Sequence, residues 1–235
     1  FYSDDTILTM AILESILEDT SYSDNLKKYG LKYKDFVPTD RPYFKNMFSP
    51  NFIKWCMGLK DGDSYGNGAA MRISPVGYLF DYEDEIKRQV ELATTPSHNT
   101  LEAITGAEEV AMVIYMARSG YDINEIKEFV QFKYGHSLYL ELYKLIHQNV
   151  FNCSCAHSVR LAIFALLGSN DFEETIRNAV SFGGDTDTIA CIAGSMAEAV
   201  YGIPTDLKEK AIEKLPDEFN ELLDRGYSKV KTLKK

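Results

Sequence analysis

The sequence predicts an all-α protein, a compact helical bundle around one central helix. Three observations carry this. No alternating run of β-branched residues persists beyond a few positions. Apolar residues instead recur at helical spacing, in segments opened by capping residues or proline. One late segment, from 187 to about Tyr201, is rich in small residues such as Ala190, Ala193 and Gly194, and a helix lined this way lies close to its neighbours, which suits the centre of a bundle. No repeat of fixed period appears.

Taken in order, the first helix is predicted from about Asp4 to Glu18, with Ile7, Leu8, Ala11, Ile12 and Ile16 on one face. A shorter helix follows from Tyr22 to Tyr29 and ends at Gly30. Residues 31–48, with Pro38 and Pro42, read as a loop. Ser49-Pro50 opens a helix that carries Phe52, Ile53 and Trp55 to about Leu59. Gly62, Gly66 and Gly68 punctuate the next stretch, and Ser74-Pro75 caps another helix. Tyr82–Thr94 and Asn99–Arg118 read as helices, the second buried and rich in Ala and Met. Asp122 to about Lys133 is helical until Gly135 breaks it, and the pattern resumes from Ser137 to Gln148. Ser154–Leu167 is apolar on most faces, and Phe172–Val180 leads into Gly183-Gly184. Two closing helices cover about Thr205–Lys214 and Asp217–Arg225, with residues 229–235 as a solvated basic tail.

At 235 residues the chain reads as one domain over 1–235, a size that buries roughly 70–75% of its unfolded surface. No apolar run approaches the ~20 residues of a membrane span, and no signal-peptide pattern is present. A net charge of −10 argues against a general nucleic-acid or membrane-surface binder. Cys153-Ser154-Cys155 lacks zinc-knuckle spacing and no second pair answers it. With Cys56 and Cys191, these read as reduced thiols in a cytoplasmic protein. No spacing joins His136, His147 and His157 into a metal site.

The chemistry concentrates at two helix starts. Gly183-Gly184-Asp185-Thr186-Asp187-Thr188 places two carboxylates and two hydroxyls at the N-terminus of the central helix. So many oxygen donors suit a hard divalent cation, Mg²⁺ or Mn²⁺; the plainer reading is a pair of capping aspartates. At the other end, Ser3-Asp4-Asp5-Thr6 opens the first helix. Adjacent aspartates repel unless a cation or hydrogen bonds neutralise them. If the two helix starts meet, Ser3, Asp4, Asp5, Asp185, Asp187 and Thr188 provide enough ligands for two cations. The glycines at 62–68 let a ligand approach the backbone and offer N–H donors to phosphate, without the Gly-Lys-Ser/Thr of a P-loop.

Four segments, taken together, resemble one known family. Ser3-Asp4-Asp5-Thr6, then Ser64-Tyr65-Gly66-Asn67-Gly68-Ala69-Ala70-Met71-Arg72, then Thr95-Pro96-Ser97-His98 with Gly106-Ala107, and finally Gly183–Ala190 are similar to the ADP-ribosylglycohydrolases, which include the dinitrogenase reductase-activating glycohydrolases. The resemblance spans nearly the whole chain in the right order. It implies that family's all-α fold and the removal of ADP-ribose from a modified target, by cleavage at the distal ribose. It implies two divalent cations, Mg²⁺ or Mn²⁺, held by Asp4, Asp5, Asp185 and Asp187 and completed by Ser3 and Thr188. Ser3 stands where Thr is more usual and keeps the donor oxygen. Asp4, Asp5 and Asp185 are the implied catalytic groups, with Asp4 or Asp5 orienting the attacking water. Ser64, Tyr65, Gly66, Asn67, Gly68 and His98 are the implied contacts to ADP-ribose, Tyr65 by stacking on adenine. Two departures stand out. Val159 is followed by Arg160 where the family has Val-Pro. A segment that the family carries ahead of this point, with a Gly-Asp pair and a Glu able to reach the metals, is not in the sequence. The alternatives are a catalytically weak protein of the same fold that binds ADP-ribose or a partner, and a helical metal-dependent phosphohydrolase, which normally shows a His-Asp pair. The acceptor (arginine, serine or a nucleic-acid base), the choice between Mg²⁺ and Mn²⁺, and the oligomeric state stay open.

Overall fold

A computed structural model describes residues 1–38, 47–135 and 151–233. Among them are twelve α-helices and no sheet; two isolated antiparallel bridges join loops. The helices are α1 (Asp4–Glu18), α2 (Tyr22–Lys32), α3 (Pro50–Cys56), α4 (Ser74–Leu79), α5 (Glu83–Thr94) and α6 (Leu101–Arg118). They continue with α7 (Ile123–Tyr134), α8 (Cys155–Leu167), α9 (Phe172–Ser181), α10 (Thr186–Tyr201), α11 (Thr205–Ile212) and α12 (Asp217–Leu233).

The predicted central helix is α10, which packs on α4, α6, α8 and α9. It shares the middle with α6, which touches α4, α5, α7, α8 and α10. Both are apolar nearly all round, as a helix surrounded by others must be. Ile189, Ile192, Ala193, Met196 and Ala197 are buried on α10, and Ala107, Val110, Ala111, Met112 and Ile114 on α6. Close approach depends on glycine where helices cross. A Cβ on Gly77 of α4 would lie 2.6 Å from the Ala111 carbonyl oxygen of α6.

The N-terminus is pinned by aromatic packing. Tyr2 stacks on Phe36 at 4.9 Å between ring centroids and meets Phe219 of α12 edge-on at 5.5 Å. Phe219 is fully buried. Tyr2 immediately precedes Ser3, Asp4 and Asp5, so this cluster fixes where α1 begins.

Several boundaries differ from the sequence reading. Gly30 does not end α2, which runs to Lys32. Its missing side chain instead makes room for α3, where Cys56 Sγ and Phe52 Cε1 would lie 2.7 and 2.9 Å from a Cβ. Helix α3 stops at Cys56 rather than near Leu59. Ser74 lies inside α4, and Ile73 holds the cap position with no side-chain bond. Helix α12 continues past Arg225 to Leu233, so most of the expected solvated tail is helical. Gly226 packs on Leu13 and Val230 on the apolar core, which gives that extension a buried face. The predicted helix Ser137–Gln148 lies outside the described residues.

Helix α7 begins with a complete capping box. The Asp122 carboxylate accepts from the Asn124 and Glu125 amides at 2.8 and 3.0 Å, and Glu125 Oε2 accepts from the Asp122 amide at 2.8 Å. Asp122→Ala is therefore expected to cost about 1 kcal/mol. A thermal melt would read this as a fall of about 2–4 °C.

Candidate active site

The two acidic helix starts do meet. Gly183 and Gly184 both adopt positive φ, 75° and 76°, and turn the chain into α10 with Asp185 at its N-cap position. Neither Asp185 nor Ser3, the corresponding residue of α1, caps its own helix through its side chain. Those side chains make other hydrogen bonds. Ser3 Oγ donates to Asp5 Oδ2 at 2.7 Å. Asn67 Nδ2 donates to Asp185 Oδ2 at 2.7 Å and to Ser158 Oγ of α8 at 2.9 Å. The buried Thr188 hydroxyl lies close enough to Asp5 and Asp185 to lower the pKa of each. A further brace crosses the middle, where the Met71 carbonyl accepts from Thr9 Oγ1 of α1 and from Cys191 Sγ of α10.

These carboxylates are crowded and poorly solvated. Asp4 is pushed up to about 8, first by burial and then by the charge of Asp5, with smaller contributions from Asp187 and Asp185. Asp5 is pushed up to about 6, again mainly by burial, although Ser3 and Thr188 hold it down. Asp185 is raised by burial and by Asp187, against the hydrogen bond from Asn67. Oδ1 of the buried Asp5 has no hydrogen-bond partner among the described residues. No three acidic, histidine or cysteine side chains among the described residues already converge on one point as a metal cage. The carboxylates are neighbours rather than a closed coordination shell. An all-oxygen donor set with one orphaned carboxylate oxygen and mutually destabilising charges still fits a hard divalent cation.

A pH dependence follows. Asp4 and Asp5 have folded-state pKa values above the unfolded value of about 3.9. The folded chain therefore binds more protons than the unfolded one between about pH 4 and about pH 8. The stability these groups contribute is fully present below about pH 4 and is lost as pH rises through about 6 and about 8. Denaturant titrations in chelator should show stability falling over that window, and the fall should shrink in Asp4→Asn/Asp5→Asn. A double variant with an unchanged slope would contradict this.

The glycine loop closes the site from another side. Tyr65 and Asn67 pair with the start of α8: the Cys155 amide donates to the Tyr65 carbonyl, and the Asn67 amide to the Cys153 carbonyl, both at 2.9 Å. Gly66 and Ser154 form one of the two bridges. Ser64 Oγ accepts from the Gly66 amide at 3.2 Å. Tyr65 is 63% exposed. The other bridge joins Asp63 to His98, and the Asn99 amide donates to the Gly62 carbonyl at 2.6 Å. His98 is buried, and a Cβ on Gly68 would lie 2.9 Å from its Nε2. Ser64–Gly68 and His98 are thus brought together, and Asn67 ties them to Asp185.

Sequence reasoning missed four participants. Ser158 carried no signal of its own. Arg72 and Ser97 lay within quoted motifs but had no role until their burial was visible. Cys191, expected as a plain core residue, lies half-buried near Asp4, Asp5 and Asp187, and burial followed by their charges pushes its thiol up. Arg160 leaves α8 unbroken where a proline would disturb it. A separate apolar cleft, lined by Met10, Leu13, Pro75, Tyr78, Leu223 and Val230 among others, contains none of the predicted site residues. Among the described residues no helix is long and apolar enough to cross a membrane.

With this geometry in place, comparison with known proteins is decisive for the family. The ADP-ribosylglycohydrolase profile matches residues 1–233. The chain belongs to the ADP-ribosylglycohydrolase family. It is 24% identical over 263 residues to the ADP-ribosylhydrolase ARH3 of Mus musculus, covering 86% of this chain and 70% of that one. It is 28% identical over 189 residues to the ADP-ribosylarginine hydrolase Tri1 of Pseudomonas putida (strain GB-1), covering 74% of this chain and 50% of that one. A solved structure of an ADP-ribosylglycohydrolase-related protein complex superposes with a TM-score of 0.70 at 23% identity, over 98% of this chain and 82% of that one. That likeness establishes the all-α ADP-ribosylglycohydrolase fold. The family is one of hydrolases that act on ADP-ribosylated substrates.

Proposed function

We propose that this member of the ADP-ribosylglycohydrolase family is a divalent-cation-dependent hydrolase that frees ADP-ribose from a modified target by cleaving the glycosidic bond at the distal ribose. The observation that supports it most is the Asn67–Asp185 hydrogen bond of 2.7 Å, which joins the glycine loop to the aspartate cluster. A ligand lying along the loop would thereby reach the carboxylates.

Asp4, Asp5, Asp185 and Asp187 would hold two cations, Mg²⁺ or Mn²⁺, with Ser3 and Thr188 completing the set. When bound, such ions supply Lewis-acid charge and grip a cis-diol. This chain's residues do the rest. Ser3 and Thr188 hold Asp5, Asn67 holds Asp185, and the orientation of each carboxylate is set before substrate arrives. Negative oxygen beside the anomeric carbon stabilises the oxocarbenium-like transition state of glycoside cleavage. Water adds its oxygen to that carbon as the bond to the acceptor breaks, and the acceptor leaves with a proton. Asp4 is better placed than Asp5 to orient this water. Asp5 is buried and engaged by Ser3, whereas no side chain among the described residues hydrogen-bonds Asp4. Ser64–Gly68 would cradle the ADP-ribose backbone, with Tyr65 stacked on the adenine.

The test is release of free ADP-ribose from arginine-linked and serine-linked substrates with Mg²⁺ or Mn²⁺ present. Release from either supports the reading and assigns the linkage. ADP-ribose binding without release from any acceptor would overturn it in favour of a binding protein of the same fold.

A further inference from the structure

Arg72 is one of the largest fully buried side chains in the protein, and a guanidinium has only donors to offer. Its Nη2 donates to the Ala93 carbonyl at 3.1 Å and to Ser97 Oγ at 2.8 Å. Among the described residues Nε and Nη1 have no partner. Burying a charge this way is costly, so the one side-chain bond it makes invites explanation. Ser97 Oγ lies 2.8 Å from His98 Nδ1. Because Ser97 must accept from Arg72, its own hydroxyl proton needs an acceptor. Among the described residues only His98 Nδ1 is within reach. An Nδ1–H tautomer would leave that buried hydroxyl proton unsatisfied, at the full desolvation cost.

We infer that Arg72 and Ser97 are positioning residues that lock His98 as the neutral Nε2–H tautomer, so that it presents one hydrogen-bond donor across Gly68 to a ligand oxygen. Nε2 has no hydrogen-bond partner among the described residues and occupies the space that a side chain on residue 68 would fill. The imidazole stays neutral because burial, and then the adjacent Arg72 charge, holds its pKa well below the usual histidine value. Arg72, pushed down to about 10 by burial, still carries its charge near neutrality. The lock stands on protein contacts alone; that the recipient is an oxygen of ADP-ribose rests on the function proposed above.

Long-range ¹H–¹⁵N spectra of the full chain labelled at histidine read the tautomer directly, with His98→Gln used to assign the signal. The expected result near pH 7 is a neutral ring protonated at Nε2. Ser97→Ala should release the lock and mix the tautomers, and should weaken ADP-ribose binding in Mg²⁺ by about fivefold. Ser97→Thr, which keeps the hydroxyl, should restore both. An Nδ1–H or doubly protonated ring in the wild type would overturn the proposal, as would a Ser97→Ala ring with the wild-type tautomer. If the wild type bound no ADP-ribose, the functional reading would fail, while the spectra would still decide the lock.

Discussion

Asp185→Ala is expected to lower ADP-ribose release on the order of a thousandfold. Asp185 is the junction of the site: Asn67 donates to it, Thr188 lies against it, and Asp187 stands two residues away. On the proposed mechanism, removing it would take a ligand from the cations and the anchor from the loop together. Loss of charge stabilisation worth several kcal/mol, at about 1.4 kcal/mol per tenfold in rate, gives that size. The metal-free variant should fold at least as well as the wild type, because one of the crowded, raised carboxylates is gone. Steady-state rates beside a denaturation curve separate the two effects. Lost activity with retained stability is the expected pair; lost activity with an unfolded chain would mean that Asp185 is structural instead.

Gly62→Ala should be the most damaging single methyl near the site. The added Cβ would lie 2.0 Å from the Pro96 carbonyl oxygen and 2.9 Å from Ser97 Cα. Both are backbone, so no rotamer change relieves the clash. The strand-like contact between 62–64 and 97–99 must open, and with it the position of His98. Overpacking against fixed atoms costs about 3 kcal/mol, which a thermal melt would show as a fall of about 6–12 °C. ADP-ribose affinity should fall as well. A variant with wild-type stability would show that the contact is not as tight as described.

Much of this was legible in the sequence, and the reasons are local. Asp122 with Glu125, Ser154, and Gly183-Gly184 encode their conformations in their own side chains, so α7, α8 and the turn into α10 could be read directly. The acidic clusters were legible as chemistry because adjacent carboxylates at helix starts are costly without a partner. Gly30 misled because a glycine that ends a helix and one that admits a neighbour look alike in sequence; only the packing of Cys56 tells them apart. Ser158 and the Arg72–Ser97–His98 chain were hidden for a related reason. Their partners are 91 residues away in one case, Asn67 to Ser158, and 25 in the other, Arg72 to Ser97. No helical or extended spacing links such positions.

The proposed hydrolase needs the two helix starts to hold both cations in one shared site. Titrating Mn²⁺ into the metal-stripped chain, with free ion followed by electron paramagnetic resonance, tests it most directly. Two ions bound per wild-type chain, with binding weakened in both Asp5→Asn and Asp187→Asn, is the predicted result. Failure to bind Mn²⁺, or binding indifferent to either aspartate, would contradict it.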